Sequence, residues 1–202
     1  AIGKVPTEQY LTDRVDFASF SGHKFHSVRG VGFVYIKAGK KIAPLLTGGG
    51  QESDKRSTTE NVAGIAATAK ALRLTLDKAA DSQKQLAAMN QILVDELSKY
   101  QDVTVFSGME NFVPSILTFG IKNIRGEVIV HAFEDHQIYI STTSACSSKA
   151  GKPAGTLIAM GVPQKLAQTA VRVSLDDDND MGQIEQFLTI FKQIYHNTQK
   201  VR

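Results

Sequence analysis

Two apolar stripes at helical spacing, one after the other through the middle of the chain, limit its fold more than any other feature. Val62, Ile65, Ala66, Ala69, Leu72 and Leu76 recur every three or four residues over residues 60–76, and Leu86, Met89, Ile92, Leu93 and Leu97 repeat the pattern over residues 81–100. A 3.6-residue period puts each set on one helix face. This predicts two long helices, each packed on core or on a dimer surface. Before them, residues 15–19 and 31–36 read as strands, and Gly48-Gly49-Gly50 marks a turn. After them, strands are expected at 103–106, 115–119, 138–141 and 171–175, and helices at 126–134, 154–160, 164–169 and 181–195. The pattern is that of an α/β chain.

The 202 residues, 42% of them hydrophobic, are enough to bury a real core. A net charge of +3 is too small and too scattered to argue for nucleic acid. No apolar run reaches the length needed to span a bilayer, and the opening residues, with Lys4 and Pro6, do not read as a secretory signal. Cys146 is the only cysteine, so no intrachain disulfide forms. A cytoplasmic protein with no membrane or nucleic-acid partner is expected. No metal site is expected either. Asp176-Asp177-Asp178-Asn179-Asp180 offers oxygen ligands but lacks the loop spacing and closing glutamate of a calcium site. It reads instead as the solvated N-terminus of the last helix, where negative charge suits the dipole.

Chemistry is concentrated in two short segments. Ser21-Gly22-His23-Lys24 follows the apolar run of residues 15–20 directly. A lysine at the end of a buried strand loses its proton cheaply, because desolvation penalises the ammonium form. A neutral amine condenses with carbonyls, most commonly with the aldehyde of pyridoxal phosphate. The second segment is the small, polar run around Cys146, Ser141 to Pro153, with Lys149 and Lys152 nearby. Exposure beside cations favours thiolate over thiol, which is what a reactive cysteine requires.

Taken with Ala1-Ile2-Gly3-Lys4-Val5-Pro6, Gly30-Val31-Gly32-Phe33-Val34-Tyr35, Gly48-Gly49-Gly50-Gln51-Glu52, Arg56-Ser57-Thr58-Thr59-Glu60-Asn61, Ser144-Ala145-Cys146-Ser147-Ser148, Ala159-Met160-Gly161 and Ala170-Val171-Arg172-Val173-Ser174, these segments carry a resemblance. The chain resembles the carboxy-terminal part of a cysteine desulfurase of the NifS and IscS type, in the class V aminotransferase group of pyridoxal-phosphate enzymes. The resemblance implies the fold of a type I pyridoxal-phosphate-dependent transferase. Residues 1–80 would be the end of its large cofactor domain, a mostly parallel sheet flanked by helices, and residues 81–202 its small α+β domain.

By the same resemblance, Lys24 would hold pyridoxal 5'-phosphate covalently and move the proton at the substrate Cα. Ser21 and His23 would grip the phosphate, and Thr59 would reach the phosphate held by the other subunit of a homodimer. Arg172 would pair with the α-carboxylate of L-cysteine through its two-donor fork. Cys146 would take the substrate sulfur as an enzyme persulfide, leave L-alanine, and pass the sulfur to an acceptor protein for iron–sulfur clusters or thiolation. Plainer roles stand beside these: His23 as a backbone cap, Ser21 and Thr59 as turn or N-cap residues, and Arg172 as half of a structural ion pair.

Departures from the pattern matter equally. Ser27-Val28 stands where the family has glycine and proline, and Thr58 where it has glycine. Glycine tolerates backbone angles that serine and threonine do not. The family's aspartate on the ring nitrogen and glutamine near the ring hydroxyl precede the segment matching residues 1–4. The chain by itself is therefore expected to be a poor or inactive catalyst, and to associate with itself or with the missing amino-terminal portion. Two other functions stay open: another class V aminotransferase or selenocysteine lyase, and a non-catalytic remnant that binds acceptor proteins.

Overall fold

The structure, a computed structural model, describes residues 2–6, 10–107, 113–142 and 155–200. The chain divides into two compact units, Ala1–Ser82 and Gln83–Arg202. It is mixed α/β with open sheets.

In the first unit, β1 (Phe17–Ser21) pairs antiparallel with β2 (Gly32–Ile36), Phe17 opposite Ile36 and Ser21 opposite Gly32. Their antiparallel pairing has a local cause. Only residues 22–31 connect them, and a parallel crossover needs a dozen or more. Neither strand buries a residue: β1 alternates exposed and half-buried positions, and β2 runs from three exposed residues to two half-buried ones. The core here is small: Ile2, Phe25 and Ala71, with Phe20 and Leu72 against them. Within the short α1 (Gln51–Asp54), Glu52, Ser53 and Asp54 all adopt left-handed backbone angles, φ 53°, 56° and 60°.

A single helix, α2 (Val62–Leu97), replaces the two expected. Residues 77–81, Asp-Lys-Ala-Ala-Asp, contain neither glycine nor proline, so nothing breaks the backbone hydrogen bonds between the stripes. The second stripe is buried as expected, Leu86, Met89, Leu93 and Leu97 being at most 2% exposed. The first is not: Val62, Ile65 and Leu76 are exposed, and the helix buries Gly64, Thr68 and Ala71 instead. Small residues on that face permit close approach. A Cβ on Gly64 would lie 2.5 Å from Val31 Cγ2.

The second unit holds the main core. Its antiparallel sheet has the order β3 (Val103–Val105), β4 (Ile116–Ile121), β6 (Ala170–Ser174), β5 (Ser141–Thr142). Leu117, Phe119, Ile121, Val171 and Val173 alternate onto one face. There they meet α2, α3 (Gly126–Glu134) and α6 (Met181–Lys200) through Leu93, Phe133, Phe187 and Phe191. The Phe133 and Phe187 rings stack at 4.8 Å. The short helices α4 (Gly155–Ala159) and α5 (Gln164–Ala167) carry a minor cluster of Leu157, Ala167 and Ala170. The acidic run caps α6, as read from the sequence. Asp180 Oδ1 accepts the Gln183 amide at 2.9 Å and Gln183 Oε1 accepts the Asp180 amide at 3.3 Å, a reciprocal capping box. Among the described residues, no helix is long and apolar enough to cross a membrane.

Candidate functional site

Ser21, His23 and Lys24 come together at one turn of the first unit. Ser21 ends β1, and Gly22–Phe25 forms a 3-10 turn closed by His26 in the left-handed region at φ 67°. Two backbone bonds fix it: the Gly22 amide donates to Val31 O at 2.9 Å, and the Ser27 amide to Gly22 O at 3.1 Å. Phe25 is 2% exposed and packs with Ile2 and Ala71, which anchors the turn and leaves His23 and Lys24 outside. The three side chains make no hydrogen bond or ion pair among the described residues, so His23 caps nothing.

Lys24 is exposed, and the strand before it is not buried. The desolvation expected from the sequence therefore has no burial behind it. The cause is β1 itself, which has β2 as its one strand partner among the described residues.

Thr59 lies in a separate loop of the same unit, ahead of α2. It is not the helix cap: Asn61 Oδ1 accepts the Gly64 amide at 3.0 Å, leaving the exposed Thr59 hydroxyl uncommitted. Arg56 braces this loop. Its Nη1 donates to Thr58 Oγ1 at 2.9 Å and to the carbonyls of Thr58 and Thr59 at 3.3 and 3.4 Å. Thr58, where the family has glycine, sits at φ 116°. That angle is one a side chain rarely adopts.

Arg172 belongs to the second unit. On β6 it lies opposite Thr118 on one side and Ser141 on the other, so the three share the sheet face away from Val171 and Val173. Its Nε is buried with no hydrogen-bond partner, and it forms no ion pair among the described residues. The structural ion pair considered from the sequence is therefore absent there. β5 ends at Thr142, four residues before Cys146. Cys146, Lys149 and Lys152 lie outside the described residues. A cavity of about 560 Å³ bordered by Val128, Ala132, His136 and Ile194 holds none of the expected site residues.

Sequence reasoning missed three supports of these sites: Arg56 as a brace, Asn61 as the α2 cap, and a part-buried hydroxyl pair between Ser27 and Thr68 at 2.8 Å. The sequence signal for Asn61 was its place just before a helical stripe. For Ser27 it was the departure from glycine.

The chain belongs to the aminotransferase class-V family, whose model matches residues 9–187. It is similar to the "NifS/IcsS protein homolog" of Lactobacillus delbrueckii subsp. bulgaricus, 45% identical over 206 residues, covering 100% of this chain and 52% of that protein. It is also similar to "Cysteine desulfurase IscS" of Dictyoglomus turgidum, 37% identical over 162 residues, covering 80% of this chain and 41% of that one. A solved "NIFS-LIKE PROTEIN" superposes with a TM-score of 0.83 at 34% identity, over 97% of this chain and 50% of that one. The chain spans about half the length of the curated relatives it matches. The fold is that of the NifS-like pyridoxal-phosphate-dependent transferases.

Proposed function

We propose that the chain carries the lysine and thiol machinery of a cysteine desulfurase, which moves sulfur from L-cysteine onto Cys146 and releases L-alanine. In this reading residues 1–80 are the end of the large cofactor domain and residues 81–202 the small domain. The observation that carries it is the Arg172 Nε, buried without a partner on the strand beside the one that leads toward Cys146. A guanidinium left open in this way suits a carboxylate ligand.

The donor set at the first turn fits pyridoxal 5'-phosphate. An amine for the aldehyde, and a hydroxyl and an imidazole for the phosphate, stand exposed and unengaged at Lys24, Ser21 and His23. When bound, the group supplies an electron sink for charge that develops at the substrate Cα. Lys24 holds the aldehyde carbon and moves the Cα proton, Ser21 and His23 hold the phosphate, and Thr59 reaches the phosphate of a second subunit. Arg172 orients the substrate by its carboxylate. The Cys146 thiolate attacks the substrate sulfur: an S–S bond forms, the carbon–sulfur bond breaks with its electron pair left on carbon, and a proton completes L-alanine. One enzyme thiol and one L-cysteine thus give one enzyme persulfide and one L-alanine.

An acceptor protein, in cluster assembly or thiolation in the cytoplasm, would then take the sulfur. The exposed apolar row Val62, Ile65 and Leu76 on α2 supports association with further polypeptide, either a second copy or the portion that the relatives have beyond this match. The test is to mix the chain with that portion, pyridoxal 5'-phosphate and L-cysteine, and to measure alanine and persulfide by mass spectrometry. Equal amounts of both are expected, with the persulfide lost in Cys146→Ala. Alanine release that survives Cys146→Ala would favour a lyase, and conversion of L-cysteine to its 2-oxo acid an aminotransferase. No Lys24 adduct and no alanine would favour a remnant.

A further inference from the structure

The turn that presents Lys24 meets α2 through the buried Phe25 against Ala71 and through side-chain hydrogen bonds. Side-chain hydrogen bonds run between the turn and α2 from Ser27 Oγ to Thr68 Oγ1 at 2.8 Å and from Thr75 Oγ1 to Phe25 O at 3.5 Å. The second is at the limit of a hydrogen bond. The first joins a half-buried serine to a threonine that is 5% exposed. It also closes on the turn's first residue: a Cβ on Gly22 would lie 3.1 Å from both Ser27 Cβ and Thr68 Oγ1, and 2.9 Å from Val31 O. The back of the turn is therefore packed without slack while its front, with His23 and Lys24, stays open.

Ser27 is also where the resemblance drawn from the sequence would put glycine. The backbone does not need glycine there, since the left-handed residue of the turn is His26 and Ser27 has no positive φ. The serine adds a hydroxyl at no conformational cost, and that hydroxyl meets Thr68, the one hydroxyl on α2 that the first unit buries.

We propose that Ser27 and Thr68 are a positioning pair that holds the Lys24 turn against α2 and so sets the reactivity of the Lys24 amine toward an aldehyde. The inference rests on the reading of Lys24 as the carbonyl-binding amine. Removing one hydroxyl strands the other in a buried site, whereas removing both is milder. The pair should therefore behave as a coupled unit.

The test uses the full chain, pyridoxal 5'-phosphate as probe, and borohydride to trap each lysine adduct, with the rate at every lysine read by peptide mass spectrometry. Exposed Lys165 of the second unit is the internal reference. Ser27→Gly and Thr68→Val should each slow trapping at Lys24 by about tenfold relative to Lys165, the factor one net hydrogen bond is worth. The double variant should lose no more than the worse single, and Thr68→Ser, which keeps a hydroxyl, should restore the parent rate. Hydrogen exchange at the amides of residues 24–27 should accelerate in step. If Thr68→Val fails to fold, Ser27→Gly and the Thr68→Ser rescue still decide. Parent-like trapping at Lys24 in Ser27→Gly overturns the inference alone. A parent chain whose Lys24 traps no faster than Lys165 overturns the reading of Lys24 and the inference with it.

Discussion

Ser141 lies directly opposite Arg172 across the β5–β6 pair, and the Arg172 Nε in that row is buried without a hydrogen-bond partner. A buried guanidinium N–H without a partner works against folding, and an apolar side chain of similar length does not. Arg172→Met is therefore expected to raise the unfolding free energy by about 1 kcal/mol or more, read from urea titration. The same variant should lose its hold on the carboxylate of L-cysteine, read as a rise in KM. A variant less stable than the parent would mean that the fold already satisfies this group.

Thr58 carries a β-branched side chain at φ 116°. Strain of this kind costs roughly 1–3 kcal/mol, and glycine removes it at the expense of a freer unfolded chain. Thr58→Gly should gain about 1 kcal/mol, seen as a higher Tm, even though the Arg56 bond to Thr58 Oγ1 goes with it.

The α2 cap and the proposed phosphate ligand are separable by mutation. Asn61→Ala should cost about 1 kcal/mol of stability, because the Gly64 amide loses its acceptor. Thr59→Val, at an exposed side chain with no bond to lose, should stay within about 0.5 kcal/mol. It should nonetheless weaken retention of pyridoxal 5'-phosphate, measured by equilibrium dialysis. Equal destabilisation by the two variants would return Thr59 to a structural role.

The capping box at the start of α6 makes a local prediction in the second unit. Asp180→Ala should cost about 1 kcal/mol and speed amide exchange in the first turn of α6. The stacked Phe133 and Phe187 deeper in the core should keep their protection.

What the sequence disclosed follows from where a pattern met a packing partner. The residue bounds expected for α3, 126–134, are those observed, because an apolar period there meets the sheet. β5 was expected over 138–141 but starts only at Ser141. The Ile138 amide is taken by Phe133 O, in a left-handed exit at Gln137 with φ 60°, and so belongs to the end of α3. The first stripe of α2 failed for the opposite reason. Its large apolar residues have the right period, but the face that packs is the one with Gly64, Thr68 and Ala71, which a hydrophobicity count passes over. At the site, Ser21, His23 and Lys24 are contiguous and were legible as a motif. Arg172 was singled out through the Ala170–Ser174 motif, while strand alternation alone suggested a structural ion pair, and neither announced the unpartnered Nε. The Ser27–Thr68 contact spans 41 residues, and no local pattern announces it.

Three successive residues, Glu52, Ser53 and Asp54, turn with the opposite hand to an ordinary helix. Each L-residue held that way gives up roughly 1–2 kcal/mol, and a change to glycine at any of the three would be a gain if stability were all that counted. Drift should therefore bring glycine into this loop within a few mutational steps while its backbone keeps the same hand. Any lineage that keeps all three side chains is being selected for something those side chains do, which makes this loop a place where a comparison of many sequences would separate function from folding.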